Sequence, residues 1–90
     1  MTKCVDVRIT GRVQGVWFRK YTKEAADRIG LTGTVQNEDT DAVHCIAQGT
    51  EDQIEEFLQF CKNGSPLSKV ERVIVKNHPI MGFEGFEIIR

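Results

Sequence analysis

The sequence predicts an α+β fold: an antiparallel sheet with two helices on one face, in the order strand, helix, strand, strand, helix, strand. Three observations predict it. A period of two runs through residues 4–10. Apolar residues recur at helical spacing in two separate stretches, near residues 18–29 and 54–61. Between those stretches lie two strand-like runs joined by a short polar link.

In the first element Val5, Val7 and Ile9 alternate with Asp6, Arg8 and Thr10, the pattern of a half-buried strand. Gly11 through Phe18 breaks the alternation. A helix is expected from Phe18 or Arg19, because Phe18, Thr22, Ala25, Ala26 and Ile29 share one face and Lys20, Lys23, Glu24 and Asp27 fall elsewhere. Arg28 complements the dipole in the last turn, and Gly30 is placed as a left-handed cap with Leu31 packing back. Thr32–Asn37 and Ala42–Gln48 flank Glu38-Asp39-Thr40-Asp41 and read as a hairpin. The link has no glycine, so its turn type stays open.

Thr50-Glu51-Asp52-Gln53 is a capping box that opens the second helix. Ile54, Phe57, Leu58 and Cys61 form its apolar stripe, and Asn63-Gly64-Ser65-Pro66 ends it. Val70–Val75 is a further strand with imperfect alternation. His78–Gly85 reads as a loop, and Phe86–Ile89 as a short closing strand. This order matches the split β-α-β sandwich called ferredoxin-like, with a small terminal addition. One sheet face is left partly open to water, which suits the polar positions of the first strand.

Ninety residues are expected to make a single domain, residues 1–90. A hydrophobic fraction of 40% suffices for one modest core and excludes a compositionally disordered chain. A net charge of -1 leaves no electrostatic footprint for duplex DNA or an anionic membrane. The start has no apolar signal core and no run reaches membrane-spanning length, so a soluble cytoplasmic protein is expected. Cys4, Cys45 and Cys61 are odd in number and lack C-x-x-C spacing. Free, buried thiols are expected rather than zinc ligands or a disulfide framework. Cys4 and Cys45 fall on strands that could be neighbours, where an oxidative crosslink is conceivable. Nothing demands an oligomer, so a monomer is expected.

The chemistry concentrates in Gly11-Arg12-Val13-Gln14-Gly15-Val16-Trp17-Phe18-Arg19. Gly15 permits backbone angles that other residues resist. The loop Gln14, Gly15, Val16, Trp17, Phe18 can then present successive N–H groups to one anion. Arg19 adds a planar, permanently charged fork at the helix start, and the helix dipole adds to it. In isolation, a glycine-bracketed connection is usually only a tight turn. Arg19 and a downstream Asn37 set this one apart. Asn37 does not titrate but can orient a water through its amide; alone it would read as a turn residue.

The remaining polar and aromatic residues have plainer readings. Trp17 is expected to pack beneath the loop rather than shape a pocket. Arg12 reads as an exposed strand-end arginine. His44 and His78 read as structural or solvent-facing. Glu51-Asp52 and Glu55-Glu56 read as a solvated helix face.

The segments Gly11–Arg19 and Gly33-Thr34-Val35-Gln36-Asn37 resemble those of the acylphosphatase family. Gly64-Ser65-Pro66 and Phe86-Glu87-Ile88 agree, so the resemblance covers nearly the whole chain. Two places depart from it: Thr34, often aromatic in the family, and the glycine-free link Thr40-Asp41-Ala42. The resemblance implies hydrolysis of the carboxyl–phosphate bond of a small-molecule acyl phosphate. Arg19 would bind phosphate and act in catalysis, and Asn37 would orient the attacking water. Inorganic phosphate would be product and competitive ligand. An acyl phosphate is already activated, so positioning and charge stabilisation suffice. No metal or cofactor is expected, since no Asp/Glu cluster accompanies the loop. The Gly-Lys-Ser/Thr ending of nucleotide-binding P-loops is absent.

The alternative is a non-catalytic anion-binding regulatory module on the same fold. An RNA-binding domain of this fold would need surface aromatics on the central strands. The first strand offers Asp6, Arg8 and Thr10 instead.

Overall fold

The computed structural model describes residues 1–39 and 41–89. In chain order the elements are β1 (Thr2–Arg12), α1 (Phe18–Ile29), β2 (Thr32–Glu38), β3 (Ala42–Thr50), α2 (Glu51–Asn63), β4 (Lys69–Asn77) and β5 (Phe86–Ile89). The sheet order is β4-β1-β3-β2-β5. The first four strands pair antiparallel, as the sequence predicts. β5 adds to the outer edge of β2 in parallel, so the sheet is mixed.

Alternation decides which residues build the core. Val5, Val7 and Ile9 of β1 face the same side as Val43, Cys45 and Ala47 of β3, their register partners. Against them pack Phe18 and Ala26 of α1 and Ile54, Phe57 and Cys61 of α2. Burying each of the larger side chains contributes about 1.5–3 kcal/mol. The capping box forms as read: Gln53 N–H donates to Thr50 Oγ1 at 3.2 Å, and Thr50 N–H donates to Gln53 Oε1 at 2.8 Å. The Gly30 N–H donates to Ala26 O at 2.9 Å and closes α1.

β4 shows why its alternation looks imperfect. Thr10 pairs with Arg72, but Gly11 pairs with Val70, so Glu71 is an extra residue at a bulge. The bulge resets the period, and both Val70 and Val73 reach the core. It also lets β1 continue to Arg12, beyond the end its side-chain pattern suggests. In the hairpin link Asp39 takes φ 54, the left-handed conformation for which the link has no glycine. Thr40, which shares that link, lies outside the described residues.

Residues 78–85 cross from the β4 edge of the sheet to the β5 edge on the face without helices. His78 N–H donates to Cys4 O at 3.0 Å, and Gln48 exchanges two 2.8 Å hydrogen bonds with the Met81 backbone. This strap explains why Cys4, on the otherwise open face, is only 3% exposed. It also settles the crosslink. Cys45 pairs with Val7 on the helix-covered face, whereas Cys4 pairs with Gln48 on the opposite face. All three cysteines are free and buried.

Candidate active site

The two helices begin in opposite ways. α2 has a side-chain cap and carries Glu51 and Asp52 in its first turn, as the helix dipole favours. α1 has no side-chain cap and no acid in its first turn. Arg19 and Lys20 stand there instead, placing positive charge at the positive end of the dipole. Among the described residues neither forms an ion pair. The backbone N–H groups of residues 14–20 have no hydrogen-bond acceptor among the described residues, and Tyr21 N–H to Trp17 O at 3.1 Å is the first bond of the helix. Unpaired donors and uncompensated cations at one point make an anion favourable there.

The loop reaches this state through left-handed backbone. Gly15 has φ 72 and Trp17 has φ 62. For Gly15 the conformation is free of side-chain conflict, whereas an L-residue such as Trp17 bears roughly 1–2 kcal/mol. Alternating left-handed residues are how successive N–H groups come to face one side. The loop is pinned from below: Gln14 Nε2 lies 3.2, 3.0 and 2.8 Å from the carbonyl oxygens of Glu38, Asp39 and Ala42. Three acceptors identify the Gln14 atom facing them as its nitrogen.

Asn37 comes from the end of β2, where it pairs with Val43 and lies on the same sheet face as Val35. It is exposed, and its amide is unpaired among the described residues. Close packing upstream holds its strand in place. A Cβ on Gly33 would stand 1.8 Å from Ile46 O, with φ at 144, so only glycine fits where β2 meets β3. Thr34 and Gln36 point to the other face, so the family departure at Thr34 does not touch the site.

A cleft of about 410 Å³ opens between these elements. Gly15, Trp17, Phe18, Arg19 and Asn37 line it. Gln14 and Val16 do not. Gln14 turns toward the hairpin, and Val16 packs against the core. Trp17 corrects an expectation: it is 70% exposed and does not pack beneath the loop. Phe18 holds the buried position at 1% exposure, and the left-handed turn at Trp17 leaves the indole outside.

Three lining residues went unread in the sequence: Val13, Lys20 and Ile88. Lys20 had a legible signal, a second base in an acid-free first turn. Its Nζ lies 5.9 Å from the Trp17 ring centroid, a cation–π contact worth about 0.5–1 kcal/mol at an exposed position. Ile88 had none, because the parallel pairing of β5 that brings it there leaves no local trace.

Both histidines lie away from the cleft. His44 Nε2 is 3.0 Å from Asp6 Oδ1 on the strap-side face, and His78 Nδ1 is 2.8 Å from Pro79 O. On that face Arg8 Nε donates to Glu38 Oε1 at 2.6 Å, a hydrogen bond that strengthens the guanidinium's hold on its proton. Among the described residues no three His, Cys, Asp or Glu side chains are grouped to hold a metal ion. No helix among them is long and apolar enough to cross a membrane.

Known proteins share this fold. A family model described as acylphosphatase matches residues 5–88. An acylphosphatase of Rhizorhabdus wittichii is 40% identical over 80 residues, covering 89% of this chain and 81% of that protein. The crystal structure of acylphosphatase from Bacillus subtilis superposes with a TM-score of 0.93 at 36% identity, covering 100% of both chains. An acylphosphatase structure from Coxiella burnetii gives a TM-score of 0.94 at 28% identity, covering 98% of this chain and 93% of that one.

Proposed function

The chain belongs to the acylphosphatase family and hydrolyses acyl phosphates, and we propose that the loop at residues 14–19 and Asn37 carry out the reaction. The single observation that supports this most is the start of α1: unpaired N–H groups at residues 14–20 beside Arg19, with no acid in the first turn. The loop amides and Arg19 hold the phosphoryl oxygens, where charge accumulates in the transition state. Asn37 orients a water in line with the bond that breaks. Water attacks phosphorus, the P–O bond to the carboxylate breaks, and the carboxylate leaves with that electron pair. The water's proton passes to a phosphate oxygen, so no side chain need act as a base. Gln14 acts as a positioning residue that holds the loop against the hairpin.

The substrate is a small-molecule acyl phosphate, and inorganic phosphate is product and competitive ligand. A monomer is part of the same proposal, because nothing in the sequence demands an oligomer. Both helices pack on one sheet and one core, which supports residues 1–90 as a single domain. Three free, buried thiols support a reducing, cytoplasmic setting. The near-neutral charge supports no nucleic-acid partner.

The test is phosphate release from benzoyl phosphate without added metal, with inorganic phosphate as competitor. Turnover with competitive inhibition is expected. Phosphate binding without turnover would reject the catalytic assignment.

A further inference from the structure

The cleft is larger than a phosphoryl group requires. It measures about 410 Å³, whereas a phosphoryl group displaces a few waters, on the order of 100 Å³ at roughly 30 Å³ each. Its lining is divided. Gly15, Arg19 and Asn37 provide the polar pole, while Ile88 and Trp17 provide apolar surface. Small-molecule sites combine these two features: a few placed polar groups and a predominantly apolar wall.

Trp17 is the unusual member of that wall. It is 70% exposed, so the core does not rest on it. It holds a left-handed backbone conformation at φ 62, unfavourable for a bulky side chain. Lys20 lies over its ring at 5.9 Å. An indole kept in water at the edge of a phosphate cradle has apolar surface to offer the other half of the substrate. In an acyl phosphate that half is the acyl group.

We propose, building on the acyl phosphate hydrolase reading, that Trp17 forms an acyl subsite selecting aromatic or extended apolar acyl phosphates over acetyl phosphate. The ring stacks on the acyl group while the loop amides and Arg19 hold the phosphoryl end. Lys20 steadies the ring. Aromatic stacking of this kind discriminates modestly, in the range of one hydrophobic contact.

Trp17 is the single tryptophan of the chain, so its emission reports this site alone. The wild-type protein is titrated with benzylphosphonate, methylphosphonate and inorganic phosphate. Benzylphosphonate is expected to shift the emission to shorter wavelength and to bind about tenfold tighter than methylphosphonate. In parallel, kcat/KM is measured for benzoyl and acetyl phosphate in the wild type and in Trp17→Asn, since asparagine tolerates left-handed backbone. The benzoyl-to-acetyl ratio is expected to fall about tenfold in the variant. An unchanged ratio, or benzylphosphonate binding no tighter than methylphosphonate, overturns the subsite. If the wild type hydrolyses neither substrate, the hydrolase reading fails separately. The two phosphonate affinities then decide the subsite alone.

Discussion

Gln14 Nε2 donates to Ala42 O at 2.8 Å and so joins the α1 loop to the first residue of β3. The same nitrogen lies 3.2 Å from Glu38 O and 3.0 Å from Asp39 O. The bond ties the loop that leads into Arg19 to the hairpin that follows Asn37. Gln14→Ala removes the donor and is expected to lower stability by about 1–2 kcal/mol, measured by urea unfolding. Gln14→Glu keeps the shape but sets a carboxylate against three carbonyl oxygens. It should destabilise at least as much at pH 7 and recover as the carboxyl protonates near pH ~4–5. Equal stability of Gln14→Glu and wild type at pH 7 would show that the pin is not formed.

Asn37 separates positioning from binding. Asn37→Ala is expected to lower kcat by about ten- to a hundredfold, as when a reacting water is misplaced. The inhibition constant of inorganic phosphate should stay within about twofold, because the cradle lies across the cleft on α1. A parallel loss of phosphate affinity would place Asn37 in the anion site instead.

The buried thiols make stability fall in alkali. Burial pushes the Cys61 thiol up to about 12 and the Cys45 thiol well above its ordinary range, with the nearby Cys61 adding to the latter. Unfolded thiols ionise near ~8.5. Between that value and about 12 the native state therefore binds more protons than the unfolded chain. The stabilisation is fully present below pH ~8.5 and declines above it by ~1.4 kcal/mol per unit for each thiol. Urea midpoints compared at pH 8 and pH 10 should show the decline. A Cys45→Ala/Cys61→Ala double variant should show a shallower slope, whatever its absolute stability. Identical slopes would mean that other groups govern alkaline unfolding.

What was legible in the sequence followed local rules. The period of two at Val5, Val7 and Ile9, the capping box at Thr50–Gln53 and the stripe Ile54, Phe57, Cys61 each report a short-range preference, and the fold obeys them. What was not legible depended on long-range pairing. Glu71 looks like a fault in β4 until Gly11 is set opposite Val70. The parallel pairing of β5, and with it Ile88 in the cleft, leaves no local mark. Neither does the strap that covers Cys4. At the site, Arg19 and Asn37 could be singled out by chemistry. Which of Trp17 and Phe18 turns inward rests on one backbone angle, and composition carries no information about it.

The central claim is that Arg19 and the start of α1 hold the reacting phosphoryl group. Its most direct test is the steady-state hydrolysis of benzoyl phosphate, without added metal, by wild type and Arg19→Ala side by side. A loss on the order of a hundredfold or more in the variant is expected, with its fold intact by circular dichroism. Equal rates in the two proteins would contradict the claim.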